Sequence, residues 1–147
     1  MTAFAGYWLL FASAFLSATL LPGSSEAVLA GLLASGTGQP VLLVAFASLG
    51  NIGGALVNWG MGRYILHFKD RAWFPLKDSM NVRAQAWFAR YGIWSLLLSW
   101  VPVVGDPLTL IAGVMRVPFG RFVLFVAVGK VLRYALIVFA WQFWAKA

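Results

Sequence analysis

Long runs without a charged residue restrict most strongly how this chain can fold. No Asp, Glu, Lys or Arg occurs from residue 1 to 25 or from 27 to 62. Of the 147 residues, 62% are hydrophobic and 10% are charged, whereas a soluble domain is about 45–50% apolar and about 25% charged. So few charges cannot cover a water-facing surface. We therefore predict an all-α integral membrane protein, since helices satisfy their own backbone in lipid, and a soluble enzyme is excluded.

The apolar runs are of two lengths, which separates membrane spans from shorter arms. As helices, residues 41–62 would extend about 33 Å, enough to cross a bilayer, and residues 122–144 form a second run of full length. Residues 27–35, between Glu26 and a turn at 36–40, would extend only about 13 Å. The sequence therefore predicts two spanning helices and an arm about half a bilayer long.

A proline-containing break joins this arm to the apolar segment before it. We predict a re-entrant helical hairpin over residues 10–35 with its tip at 22–26, because irregular backbone at membrane depth is tolerated only inside protein or beside a watery cavity. The alternative is a plain span over residues 4–21 that leaves the Pro22 turn at the membrane surface. That alternative leaves residues 27–35 too short for a role of their own.

The second half of the chain repeats this plan. Pro102 precedes Asp106 by the same spacing that separates Pro22 from Glu26. Apolar arms flank this second break, at residues 93–101 and 108–115. Two such hairpins, each followed by a full span and oppositely oriented, make an inverted repeat of the kind that transporters use.

Basic residues are concentrated in the central loop, which predicts the side of the membrane on which it lies. They are Arg63, Lys69, Arg71, Lys77, Arg83 and Arg90. The positive-inside rule makes this loop cytoplasmic, and a re-entrant second hairpin returns Arg116 and Arg121 to the same side. We therefore predict a single domain, 1–147, with a first half (1–62), a cytoplasmic linker (63–90) and a second half (91–147).

Aromatic residues alternate with the basic ones in this linker, which favours an interfacial amphipathic helix near residues 79–91. The same mixture occurs on nucleic-acid-binding surfaces, but beside membrane spans the interfacial interpretation is preferred, and no nucleic-acid partner is expected. The single histidine, His67, lies in the linker and is expected to be solvated. Because the chain lacks cysteine and a convincing metal cluster, we expect neither a metal nor a cofactor.

Four charged residues fall within the predicted apolar segments, where an ionised side chain costs about 3 kcal/mol. Glu26 and Asp106 stand at the two predicted tips, and Lys130 and Arg133 share one face of the last span. Since the four charges sum to zero, they could pair and lock the hairpins to the last helix. Alternatively, they line a polar cavity in which the cations bind an anionic headgroup or phosphate and an acid exchanges a proton.

Small and polar residues form a stripe at helical spacing along the first predicted span. The stripe consists of Ala47, Asn51, Gly54, Asn58 and Gly62. Glycines at this spacing are typical of close helix packing. The two asparagines could pack in the same way or face the cavity, and we keep Asn58 as a candidate binding residue.

Several segments in fixed order resemble the DedA family, also called the VTT or SNARE-associated Golgi domain. They are LLPGSSEAVLAGLLASG, LGNIGGALVNWGMGRYI and FARYGIWSLLLSWVPVVGDPLTLIAGVMRVPFGRF. The resemblance covers about Ser17 to Arg133 and depends on the order of PG-x-x-E, G-R-Y, R-Y-G, a proline hairpin and A-G. The SWVPVVGD and GK-x-LRY segments are similar to those of a short bacterial subgroup.

The resemblance implies an inner-membrane protein with two facing re-entrant hairpins, a role in lipid transport and dependence on the proton-motive force. It also implies that Glu26 is the family's membrane-embedded acid. Family members carry arginines flanking the proline of the second hairpin, where this chain has Ser99 and Gly105. An anionic substrate would therefore depend on Lys130 and Arg133 for its positive partners.

Together these features predict a multi-pass transporter of the bacterial inner membrane that moves a lipid or its phosphate headgroup between leaflets, coupled to protons. The candidate substrate- or proton-binding residues are Glu26, Asp106, Lys130, Arg133 and Asn58. The expected partners are membrane lipids, protons and a second copy, because one copy is too small to enclose a wide path. One alternative is a structural factor whose charges only lock the fold. The other is an intramembrane enzyme, disfavoured by the lack of a nucleophile triad or metal cluster.

Overall fold

The described part of the protein, in a computed structural model, covers residues 2–19, 24–64, 86–101 and 105–147, and it contains helices and turns but no strand. The predicted all-α class is confirmed for these residues. The elements are α1 (Ala3–Thr19), α2 (Ser24–Ala34), α3 (Pro40–Tyr64), a helical turn at 86–91 that continues as a 3₁₀-helix (Gly92–Trp100), α4 (Gly105–Val114) and α5 (Phe119–Lys146).

Two helices are long and apolar enough to cross a membrane. They are α3, with 25 residues, and α5, with 28 residues, which extend about 37 Å and 42 Å. The predicted spans at 41–62 and 122–144 lie inside them. By comparison, α1 has 17 residues, or about 25 Å, and α2 has 11, or about 16 Å.

The short helices begin earlier than the sequence predicts. Helix α1 starts at Ala3 rather than near residue 10, because no proline or charged residue interrupts the run before Leu10. Helix α4 starts at Gly105 rather than at residue 108, since Pro107 is tolerated in a first helical turn, where its missing N–H leaves no helical bond unmade. Both acids of the predicted tips therefore lie within helices.

Parts of the predicted hairpin tips and most of the linker lie outside the described residues. The ranges concerned are 20–23, 65–85 and 102–104. Of the predicted interfacial helix near 79–91, residues 86–91 are described and are helical. His67 and the first part of that helix fall outside.

The chain divides into two compact units. Unit 1 comprises Met1–Gly54 and Lys130–Ala147, and unit 2 comprises Ala55–Gly129. Each unit contains a pair of packed short helices, α1 with α2 in unit 1 and the 3₁₀-helix with α4 in unit 2. The assignment of a single domain stays a prediction.

In unit 1, α1 and α2 run antiparallel. The Ser24 hydroxyl reaches the Ser13 carbonyl near one end of the pair, and a Cβ on Gly6 would lie 3.1 Å from Leu32 near the other. The buried core of this unit joins side chains of four helices: Leu10, Leu29, Leu32, Leu43, Ala47, Tyr134 and Val138. Burial of these aliphatic groups against one another holds α1 and α2 to the adjoining parts of α3 and α5.

In unit 2, glycines bring α3 and α4 into direct backbone contact. A Cβ on Gly62 would collide with the Leu110 carbonyl, and one on Gly113 would collide with the Trp59 carbonyl. In unit 1, a Cβ on Gly54 would lie 2.6 Å from the Ala18 Cβ. The packing interpretation of Gly54 and Gly62 is thus confirmed, because any side chain there would push the helices apart.

Helix α2 ends in a Schellman motif. The Gly36 N–H donates to the Leu33 carbonyl and the Thr37 N–H donates to the Leu32 carbonyl. Gly36 has φ 66°, a left-handed conformation that glycine adopts without a steric penalty.

Helix α4 ends in the same motif at the corresponding positions. The Arg116 N–H donates to the Gly113 carbonyl and the Val117 N–H donates to the Ala112 carbonyl. Arg116 has φ 57° and is the only non-glycine residue with positive φ in the described part of the chain. For a residue with a Cβ, this left-handed conformation costs about 1–2 kcal/mol.

Candidate functional site

The five candidate residues are distributed between the two units. In unit 1 lie Glu26 on α2, and Lys130 and Arg133 on α5; in unit 2 lie Asn58 on α3 and Asp106 on α4. The structure brings Glu26 and Arg133 together, as described below. Whether these residues bind a substrate or protons stays a prediction.

Both acids occupy the same position in their short helices. Glu26 lies in the first turn of α2 and Asp106 in the first turn of α4. Free backbone N–H groups at a helix N-terminus and the helix dipole both stabilise a negative charge there. The short helix after each proline break thus begins with a carboxylate in a favourable local field.

Glu26 and Arg133 form an ion pair between α2 and α5. Glu26 Oε1 contacts Arg133 Nη2, and the two side chains are 25% and 14% exposed. The pair is therefore largely but not completely shielded, and the Oε1 atom of Glu26 is itself buried. Lys130, one turn earlier on α5, is 1% exposed and lies on the same side of the helix as Arg133.

A second contact lies beside the ion pair and involves the adjacent residues of both helices. The Ser25 hydroxyl lies 2.9 Å from the Tyr134 hydroxyl and donates to Glu26 Oε2 over 3.2 Å. Ser25 and Tyr134 are completely buried. Consecutive residues of α2 therefore bind consecutive residues of α5, and both carboxylate oxygens of Glu26 have a partner.

Hydroxyl groups extend this polar region between α1 and α2. Ser25 also lies 3.4 Å from the Ser17 hydroxyl, and the buried Ser13 hydroxyl has no hydrogen-bond partner. The sequence analysis missed Ser25 and Tyr134. Two serines spaced one turn apart on α1, together with the Ser-Ser-Glu segment, were the available signal for a polar helix contact.

In unit 2, Asn58 is bound to the helix that carries Asp106. The Asn58 amide donates to the Thr109 hydroxyl over 3.2 Å, and that hydroxyl donates to the Asp106 carbonyl over 2.6 Å. Thr109 is completely buried. These bonds hold α3 against the first turn of α4.

Asn51, the other asparagine of the stripe, also binds a neighbouring helix. Its amide donates to the Ala14 carbonyl of α1 over 3.1 Å, inside unit 1. Both asparagines therefore have a packing role, and a further binding role for Asn58 stays a prediction.

The ion pair in unit 1 places a guanidinium group where it holds an anion. A guanidinium group presents a planar set of donors that fits a carboxylate or a phosphate equally well. A phosphate could therefore replace the Glu26 carboxylate at Arg133. Within the described ranges, no group of three or more His, Cys, Asp or Glu residues could hold a metal ion.

Comparisons with known proteins point to one family. The family model described as the VTT domain matches residues 21–143. The inner membrane protein YqaA of Escherichia coli (strain K12) is 47% identical over 133 residues, which cover 89% of this chain and 87% of that protein. The protein of the same name from Shigella flexneri gives the same values.

A more distant relative extends the comparison. An uncharacterized protein of Haemophilus influenzae is 40% identical over 141 residues, covering 88% of this chain and 83% of the relative. No solved structure matches the chain.

Proposed function

Because this chain belongs to the VTT domain family, the DedA family of membrane proteins, we propose that it moves a lipid, or the phosphate headgroup of a lipid, between the leaflets of a bacterial inner membrane. The name of the YqaA relatives supports the location. Two helices long enough to span support a multi-pass arrangement.

The observation that carries the proposal is the Glu26–Arg133 ion pair. It joins a short apolar helix to a helix long enough to span a membrane, where an unpaired charge would cost about 3 kcal/mol or more. The pair is incompletely shielded, with a quarter of the Glu26 side chain exposed. Charged residues placed in this way usually mark the path of an ion or a polar group.

The proposed exchange keeps the charge balanced. A lipid phosphate binds the guanidinium of Arg133 and displaces the Glu26 carboxylate, which then takes up a proton. When the headgroup leaves, Glu26 loses the proton and returns to Arg133. Lys130 supplies a second positive charge, and Asp106 and Asn58 are the candidate binding residues of unit 2.

The path itself is proposed to be a cavity near the membrane midplane between two re-entrant hairpins. The equal placement of Glu26 and Asp106 in the first turns of α2 and α4 supports an internal repeat. An inverted repeat with broken helices would bring both acids to midplane depth. In this arrangement loop 63–90 is cytoplasmic and two copies complete the path.

One observation favours a second candidate, in which the charges only hold the fold together. The Ser25–Tyr134 contact lies directly beside the ion pair, so α2 and α5 are joined by two polar contacts at adjacent positions. A structural factor would need these two contacts between α2 and α5, but the Glu26–Arg133 pair would not have to open to bind an anion. An enzymatic role has no comparable support.

The experiment is a lipid-translocation assay with purified protein in liposomes, with and without a pH gradient. A phospholipid with a fluorescent headgroup is reduced from outside by a membrane-impermeant reagent, so that loss of the inner-leaflet signal reports translocation. We expect Glu26→Gln and Arg133→Gln to abolish translocation, and Lys146→Gln, an exposed residue at the end of α5, to leave it unchanged. Wild-type rates in both site variants, at matched protein levels, would refute the site.

A further inference from the structure

We propose that the end of unit 2 at which α4 turns into α5 binds the phosphate group of an anionic phospholipid through Arg63, Arg116 and Arg121. This inference does not rest on the proposed function. All three residues belong to unit 2, and none of them is part of the proposed substrate set.

Packing at this end of unit 2 brings the arginine-bearing segments together. A Cβ on Gly113 would lie 2.9 Å from the Arg63 backbone nitrogen, so the last turns of α3 and α4 are in contact. The Trp59 indole N–H donates to the Val117 carbonyl over 3.1 Å. Arg63 therefore lies beside the turn that contains Arg116.

The side chains at this end combine positive charge with exposed apolar surface. The Arg63 guanidinium lies 5.3 Å from the Trp59 ring centroid, and the Phe119 ring packs edge-on against Trp59 at 5.6 Å. Phe119 is 55% exposed and Met115 is 59% exposed. Arginine fits phosphate, and the apolar neighbours fit the acyl region below a headgroup.

No acidic residue accompanies these arginines in the described helix ends that carry them. Asp and Glu are absent from residues 54–64 and from 107–147, the ranges that supply the ends of α3, α4 and α5. All three arginines are exposed. A cluster of this kind next to membrane-spanning helices attracts anionic lipids.

The backbone of Arg116 gives an independent reason to expect a role for its side chain. Arg116 has φ 57° at the cap of α4, where the corresponding cap of α2 uses Gly36. Glycine would remove the strain, and the Schellman hydrogen bonds require no side chain. A strained residue of this kind points to a function of the side chain itself.

A phospholipid fits this surface better than free phosphate does, although both carry the same anionic group. Arg63 and Arg121 lie at the ends of α3 and α5, which are apolar and long enough to span a membrane, and Arg116 lies in the turn before α5. The exposed Met115 and Phe119 adjoin this turn. Free phosphate would contact the arginines but not the apolar side chains. The two sources can therefore be separated by competition.

The test uses the full chain in neutral detergent, titrated with fluorescent phosphatidylglycerol and, separately, with fluorescent phosphatidylcholine. Removing one arginine should weaken phosphatidylglycerol binding about fivefold, and Arg63→Gln/Arg116→Gly/Arg121→Gln should weaken it more than any single change. Phosphatidylcholine binding should not change. An excess of inorganic phosphate should fail to displace the lipid.

Two controls make the result decisive. Arg116→Gly removes the charge while relieving the backbone strain, so an unfolding temperature equal to or above that of the wild type shows that lost binding is not lost folding. Lys146→Gln removes an exposed positive charge elsewhere and should keep wild-type affinity. Unchanged affinity in the triple variant, an equal loss in Lys146→Gln, or full displacement by inorganic phosphate would each overturn the proposal.

Discussion

Each of the two units contains a short helix with an acid in its first turn, but the two units hold that helix in different ways. In unit 1, α2 is joined to α5 by the Glu26–Arg133 ion pair and the Ser25–Tyr134 contact. In unit 2, the Asn58–Thr109 hydrogen bond also joins α3 to α4, but α4 packs directly on the backbone of α3 at glycines as well. Polar partners can be exchanged for water or for a ligand, whereas backbone contact at a glycine cannot. The difference therefore suggests that α2, rather than α4, is the element whose contacts can open.

The C-terminal caps of α2 and α4 also differ in the residue that they use. The caps of α2 and α4 have the same hydrogen bonds, and the acids and caps are equally spaced along the chain. One cap carries Gly36 and the other carries Arg116. The two caps thus share their backbone hydrogen bonds but not their charge. A substitution at the cap can therefore change the charge without removing these hydrogen bonds.

The largest expected effect is that of removing one member of the ion pair. Arg133→Leu leaves Glu26 without its guanidinium partner, and we expect a loss of about 3 kcal/mol in unfolding free energy, at the low end for a buried pair because Glu26 is partly exposed. Unfolding in detergent, followed by circular dichroism, measures the change. Glu26→Gln/Arg133→Leu should recover most of the loss. If Arg133→Leu is as stable as wild type, the ion pair does not hold α2.

A smaller effect is expected from forcing α3 and α4 apart in unit 2. Gly113→Ala places a Cβ against the backbone of Trp59 and Arg63, and overpacking of this kind costs about 2 kcal/mol. Gly60→Ala is the matched control, because nothing lies within 4 Å of its Cβ. Equal unfolding midpoints for the two variants would contradict the tight backbone contact.

The smallest effects are expected at the caps, and they should have opposite signs. Gly36→Ala introduces a Cβ in the left-handed region and should destabilise the protein by about 1 kcal/mol, whereas Arg116→Gly should stabilise it by about 1 kcal/mol. Thermal unfolding of both variants in one detergent gives the comparison. A shift in the same direction for both would show that the caps are not equivalent.

The length of the apolar segments predicted the spanning helices, and glycine spacing predicted the close packing of α3. Both signals are local in the sequence, so they can be recognised without knowledge of the tertiary structure. The sequence also placed Glu26 and Asp106 at matching positions, because each follows a proline break. It placed them at tips rather than in first helical turns, because apolar composition does not define the residue at which a helix begins.

The contacts between distant residues could not be predicted in the same way. Ser25 and Tyr134 are far apart in the chain, and nothing in the apolar surroundings of either residue specifies its partner. Helices that are apolar on all sides give no periodic signal for the face that packs inward. The charges of the two acids and the two basic residues sum to zero, but this sum does not specify which acid pairs with which base. The pairing of Glu26 with Arg133 is one of several that it allows.

The most direct test of an exchangeable ion pair is to reverse it. Glu26→Arg/Arg133→Glu keeps the pair but moves the positive charge from α5 to α2, and both unfolding and lipid translocation in liposomes are measured. We predict that the double variant regains most of the stability lost by either single reversal but remains inactive, because phosphate would no longer find the guanidinium on α5. Recovery of translocation together with stability would contradict this and identify the pair as a structural lock.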